Sequence, residues 1–95
     1  MDREYILEYL RNQKNDLLEK YGIVKIALYG SYAKNRQTES SDIDILVESN
    51  KRTIEIDKLQ KELSQALNKK VDILNEKTIL LPTIKQMILK SAINV

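Results

Sequence analysis

The hydrophobic rhythm of this chain changes character several times, and those changes restrict its fold more than any other feature. From Asp2 to Lys20, Ile6, Leu10 and Leu17 recur at helical spacing with Tyr21 just beyond, and Gly22 stands where a helix C-cap is expected. Ile23 to Tyr29 (IVKIALY) is short and rich in β-branched and aromatic residues, which reads as a buried strand. Residues 32–41 are polar, with Tyr32 and Ala33 placed in one short helical turn. Asp42 to Glu48 (DIDILVE) alternates, with Ile43, Ile45 and Val47 on one side of a second strand. Helical spacing returns from Thr53 to Lys69 through Ile56, Leu59, Leu63, Ala66 and Leu67, with Thr53 as the expected N-cap. Val71 to Leu74 reads as a third strand. After Pro82, residues Ile84, Met87, Ile88 and Ala92 mark a last helix over 83–92.

Helix, strand, turn, strand, helix, strand, helix within 95 residues describes one α/β (α+β) domain spanning residues 1–95. Its expected form is a small mixed sheet of three or more strands with helices packed on it. A chain this short buries only a little over ~60% of its unfolded surface, enough for one modest core. No apolar run approaches the ~20 residues that cross a bilayer. The N-terminal MDREYILEYL lacks the basic-then-apolar layout of a signal peptide, so a cytoplasmic protein with no membrane association is expected.

The missing residue types narrow the chemistry. There is neither cysteine nor histidine, which excludes disulfides, a structural zinc site and catalysis of the Ser-His-Asp or Cys-His kind. Any metal must be held by oxygen, which favours Mg²⁺ or Mn²⁺. The net charge is only +2 and the basic residues are scattered, so nucleic acid is not expected as a direct partner.

Against that background three carboxylates stand out. Asp42 and Asp44 are two apart in a strand and therefore share a face, ~7 Å apart along the backbone. Such a pair repels unless a cation lies between its members, although D-x-D at a strand start also occurs as edge decoration. Asp72, between Val71 and Ile73, faces away from two apolar neighbours. It either looks into solvent or, if its strand lies beside the Asp42–Asp44 strand, joins them in one patch. Three oxygen donors so placed can hold two Mg²⁺ ions ~4 Å apart for in-line phosphoryl displacement. Gly30 and Ser31 follow a strand and precede a helical turn, which suits backbone N–H groups and a hydroxyl to an oxyanion. Alone, a Gly-Ser pair is an ordinary turn; its meaning comes from position.

Gly30-Ser31, ten residues, then Asp42-x-Asp44, followed by Asp72 in KKVDIL, is the spacing that carries a resemblance. The segment GSYAKNRQTESSDIDILV resembles the signature of the polymerase-β nucleotidyltransferase superfamily. More narrowly it is similar to the minimal nucleotidyltransferase (MNT) proteins, which are often the antitoxins of HEPN/MNT toxin–antitoxin pairs. LLPTIKQMILKSAINV resembles their helical tail. Many relatives carry glycine where this chain has Asn35, the residue type that best tolerates the left-handed region after glycine.

The resemblance implies an adenylyltransferase. Asp42, Asp44 and Asp72 would be the catalytic metal ligands for two Mg²⁺ ions. Gly30 and Ser31 would bind the phosphates of the substrate ATP, and Asp72 would serve the attacking hydroxyl. The implied acceptor is a tyrosine of a partner HEPN RNase toxin, silenced by receiving AMP. Relatives with an extra helical domain hold the acceptor there; this chain is expected to borrow that part from a partner or from another copy of itself. Two alternatives stand beside this expectation: a non-catalytic antitoxin that neutralises its partner by binding, and a nucleotidyltransferase acting on a small molecule or an RNA end. Lys34 and Arg36 read as solvated loop charges, Tyr5 and Tyr9 as packing or partner-facing residues, Tyr32 as packing, and Met87 as part of an apolar stripe.

Overall fold

The computed structural model describes residues 1–95. Helix α1 (Arg3–Tyr21) begins at Asp2, whose carboxylate accepts from the Tyr5 N–H at 2.9 Å. It ends at Gly22, where φ is 67°, so the left-handed C-cap anticipated from the sequence is present. Strand β1 (Ile23–Tyr29) follows directly. A four-residue helix, α2 (Gly30–Ala33), separates it from the polar loop that leads to β2 (Ile43–Ser49). Then come α3 (Ile56–Leu67), β3 (Val71–Asn75), a 3₁₀ turn (Glu76–Thr78), α4 (Pro82–Ser91) and β4 (Ile93–Asn94).

The strands form one mixed sheet in the order β3-β2-β1-β4. β1 runs antiparallel to β2, with Leu28 opposite Ile45 and Tyr29 opposite Asp44. β2 and β3 are parallel, which requires a crossover, and α3 supplies it. In that pair Asp44 stands opposite Asp72 and Ile45 opposite Ile73. β4 closes the other edge against Ala27 and Leu28.

Alternation divides each strand between two faces. Ile26, Leu28, Ile43, Ile45, Val47, Val71 and Ile73 form a single buried cluster with Ile6, Leu10 and Leu17 of α1 and Leu59, Leu63 and Leu67 of α3. Each such side chain contributes about 1.5–3 kcal/mol when fully buried, so this face carries most of the stability. The other face bears Asp44, Leu46 and Glu48 from β2, with Asp72 and Leu74 from β3.

Three expectations need correction. Helix α3 starts at Ile56 rather than Thr53, and its N-cap position is Glu55 with no side-chain cap bond. Ile54 packs against the core first, and the chain stays non-helical to bring it there. The helix stops at Leu67 rather than Lys69 because Asn68 adopts φ 52° and caps it in the left-handed region; Ala66 proves exposed. The tail is not wholly helical, because Ala92 is extended and leads into β4, too short at two residues for any periodicity to register. The helix expected after Pro82 is present as α4 with its apolar stripe, and no residue of it is buried. No helix is long and apolar enough to cross a membrane.

Candidate active site

The site is assembled by backbone register. Asp44 of β2 and Asp72 of β3 are cross-strand partners, and adjacent strands lie about 4.8 Å apart. Asp42 sits one residue ahead of β2, where the Ile43 N–H donates to the Lys70 carbonyl at 3.0 Å and carries the pairing past the strand's end. β3 thus lies beside β2, and the three carboxylates occupy one end of one sheet face, all half-buried.

Gly30 packs onto this cluster from the end of β1. Its φ is 74°, and a Cβ built there would collide with a carboxylate oxygen of Asp44 and lie 3.1 Å from Asp44 Cγ. Both the left-handed conformation and the close approach require glycine. Ser31 follows at the first turn of α2, half-buried. The turn is held from beneath by Tyr32 and Ala33, which belong to the core, and from the side by Arg3, whose guanidinium donates to the Ala33 carbonyl at 3.2 Å. Tyr32 is thus a packing residue. Asn35 adopts φ 59°, as its identity suggested, and Arg36 N–H donates to the Ser31 carbonyl at 2.9 Å. Lys34 and Arg36 are exposed.

Electrostatically the patch is under tension. Burial, then the neighbouring charge of Asp72, then that of Asp42, push the Asp44 carboxyl above the usual carboxylate range. Tyr29, directly across from Asp44, has its phenol raised by burial and then by Asp44 and Asp72, so it stays neutral. The Lys70 ammonium lies 3.6 Å from an Asp42 oxygen and 4.0 Å from an Asp72 oxygen. A side-chain cation therefore already sits beside this carboxylate set. As they stand, no three acidic side chains are drawn closely enough together to form a metal-ligand group. Their shared face, their all-oxygen chemistry and their mutual repulsion nevertheless fit hard divalent cations.

Tyr29 and Lys70 are the neighbours that sequence reasoning passed over. Lys70 had a signal, being two residues before Asp72 in an extended segment and hence on its side. Tyr29 had none until β1 was known to pair with β2. None of the cavities of the molecule is lined by Asp42, Asp44 or Asp72; the site is an open shelf at the sheet's end.

Comparisons with known proteins identify the family and the fold. The family described as nucleotidyltransferase domain matches residues 10–95. A candidate protein adenylyltransferase of Methanocaldococcus jannaschii is 42% identical over 85 residues, covering 87% of each chain. The protein adenylyltransferase MntA of Thermococcus cleftensis is 30% identical over 78 residues, covering 80% of this chain and 79% of that one. Among solved structures, a candidate minimal nucleotidyltransferase superposes with a TM-score of 0.79 at 31% identity, over 100% of this chain and 97% of the other. A toxin–antitoxin crystal structure with AMP-PNP gives a TM-score of 0.71 at 25% identity, over 87% of this chain and 69% of its own.

Proposed function

The chain is a member of the nucleotidyltransferase domain family, and from that premise we propose that it transfers AMP from ATP to a hydroxyl of a partner protein. In this reading the acceptor is a tyrosine of an HEPN RNase toxin and the chain is its antitoxin. The observation that carries it is the register placing Asp44 opposite Asp72, with Asp42 on the same face and Gly30 pressed against Asp44. Relatives named as protein adenylyltransferases, and a toxin–antitoxin neighbour solved with AMP-PNP, support the choice of ATP and of a protein acceptor.

Asp42, Asp44 and Asp72 would hold Mg²⁺, two ions by the chemistry of such sites, whose charge offsets that of the triphosphate and of the reacting oxygens. The backbone N–H groups at Gly30 and Ser31, with the Ser31 hydroxyl, bind the β- and γ-phosphates at the start of α2. The acceptor oxygen bonds to the α-phosphorus, the bond from that phosphorus to the bridging oxygen breaks, and pyrophosphate leaves. Asp72 takes the proton of the acceptor hydroxyl. The rigid β2–β3 pair keeps these groups aligned, which is the part of the barrier that positioning lowers. An ATP-dependent reaction of this kind belongs in the cytoplasm.

Incubation with Mg²⁺, ATP and a purified HEPN-family RNase toxin, followed by intact-mass measurement, tests the proposal. Whole AMP units gained by the partner, and lost with Asp44→Asn, are the expected result. A tight complex without mass change would instead make the chain a binding-only antitoxin.

A further inference from the structure

The register that brings Asp72 level with Asp44 also brings a lysine level with Asp42. β2 and β3 pair Ile43 with Val71, and the Ile43 N–H donates to the Lys70 carbonyl at 3.0 Å. Lys70 stands two residues before Asp72, as Asp42 stands two before Asp44, so all four side chains share one face. Three carboxylates and one ammonium thus form a square whose corners are set by main-chain pairing.

The ammonium is engaged there. Lys70 Nζ lies 3.6 Å from Asp42 Oδ2 and 4.0 Å from Asp72 Oδ1, so it bridges two of the three carboxylates. No other lysine or arginine forms an ion pair with Asp42, Asp44 or Asp72. The neighbouring Lys69 is turned to the loop, where it donates to the Glu39 carbonyl at 2.8 Å. Lys34, in the loop after α2, is exposed and pairs with none of them.

Two properties decide what this contact can do. An ammonium and a divalent ion compete for the same oxygens, because a hard cation takes carboxylate oxygens at about 2.0–2.6 Å and repels a second positive charge beside it. The contact is also breakable. The Lys70 side chain is 69% exposed, so solvent screens the pair and the stem can swing away without opening a cavity. A buried lysine would lock the site; this one can be displaced.

We propose that Lys70 is a built-in counter-ion of the carboxylate site, which resists a bare divalent ion and yields to one carried on a nucleotide triphosphate. The inference rests on the reading of these carboxylates as metal ligands and adds a residue that selects the form in which the metal enters. A bare ion must expel the ammonium and then remain close to its charge. A cation on a triphosphate brings excess negative charge, which the released ammonium attracts. One lysine therefore opposes the first and favours the second.

Lys70→Met keeps the apolar stem and removes the charge. Isothermal titration with Mn²⁺ alone should show this variant binding about three- to tenfold tighter than wild type, a difference that fades with added salt. The Mn²⁺ complex of AMP-PNP should bind the variant no tighter than wild type. Lys34→Met removes the same charge away from the carboxylates and should bind bare Mn²⁺ as wild type does. In EDTA, Lys70→Met should melt below wild type, because carboxylate repulsion goes unrelieved, and Mn²⁺ should raise its Tm by more. Equal or weaker binding of bare Mn²⁺ by Lys70→Met, or the same gain in Lys34→Met, overturns the proposal. So does an equal gain for the AMP-PNP complex. Asp44→Asn separates the two readings. If it abolishes Mn²⁺ binding while Lys70→Met changes nothing, the metal site stands and the counter-ion role is wrong. If it leaves Mn²⁺ binding intact, the metal-ligand reading fails and the counter-ion role with it.

Discussion

On the side of the sheet turned toward α1 and α3, Ile43, Ile45 and Val47 are sealed, each at most 2% exposed. One residue along the same backbone, on the other side, Asp42, Asp44 and Glu48 remain half-exposed. The first face is apolar, continuous and shared by two helices. The second begins with repelling carboxylates and runs on to an apolar groove lined by Leu74, Ile79, Leu80, Leu81, Ile84 and Ile88. The contrast shows how so small a domain keeps an electrostatically unfavourable site. Packing on one face fixes strands whose register then holds like charges together on the other. Stability and chemistry are separated by a single step along the chain, and substitutions one residue apart should expose the separation.

The largest effect is expected at the charged face. Asp44→Asn should lower AMP transfer by about a thousandfold or more, the scale of losing a group that stabilises transition-state charge, while the fold persists. A coincident collapse of the near-ultraviolet circular dichroism would dissolve the distinction between the faces. Next comes Ile45→Ala, its immediate neighbour, which should cost about 2–5 kcal/mol of unfolding free energy in urea titration. The activity of the fraction that remains folded should hardly change.

Gly30→Ala joins the two faces and sharpens the comparison. The left-handed backbone alone costs about 1–2 kcal/mol with a Cβ present, and Asp44 must also move to admit the methyl group. Thermal stability and transfer should therefore fall together, unlike in either earlier variant.

The smallest effect has the opposite sign. Because the folded Asp44 carboxyl titrates above its unfolded value, its charge opposes folding. That cost is absent below the unfolded value of about 3.9 and appears as pH rises through the folded one. Without divalent cations at neutral pH, Asp44→Asn should raise Tm by a few degrees, equivalent to about 0.5 kcal/mol after solvent screening of a half-exposed charge. The difference should vanish near pH 3. Added Mg²⁺ should stabilise wild type more than the variant and reverse the order.

Several features were legible early because they depend on neighbours in sequence. Strand β1 occupies the seven residues its composition indicated, and Gly22 and Asn35 adopt the left-handed conformations suited to their types. The alternation of β2 correctly separated Ile43 and Ile45 from Asp44. Helix α4 was legible as a helix, but not that its apolar stripe stays uncovered, since periodicity reports amphipathicity and not what covers the apolar side. Thr53 misled for a related reason: a good cap residue yields when burial of Ile54 draws the chain elsewhere.

By itself, then, the sequence determined the kinds of element, the face of each strand on which its carboxylates stand, and the exclusion of histidine and cysteine chemistry. These follow from local spacing and residue type, which no packing alters. Only the tertiary structure decided that β3 runs parallel beside β2 with Asp72 level with Asp44, that Tyr29 and Lys70 border the site, and that α4 leaves its apolar side open. Strand order and register depend on which hydrophobic faces meet across long stretches of chain, and that is settled by burial of the whole core together rather than by any one segment.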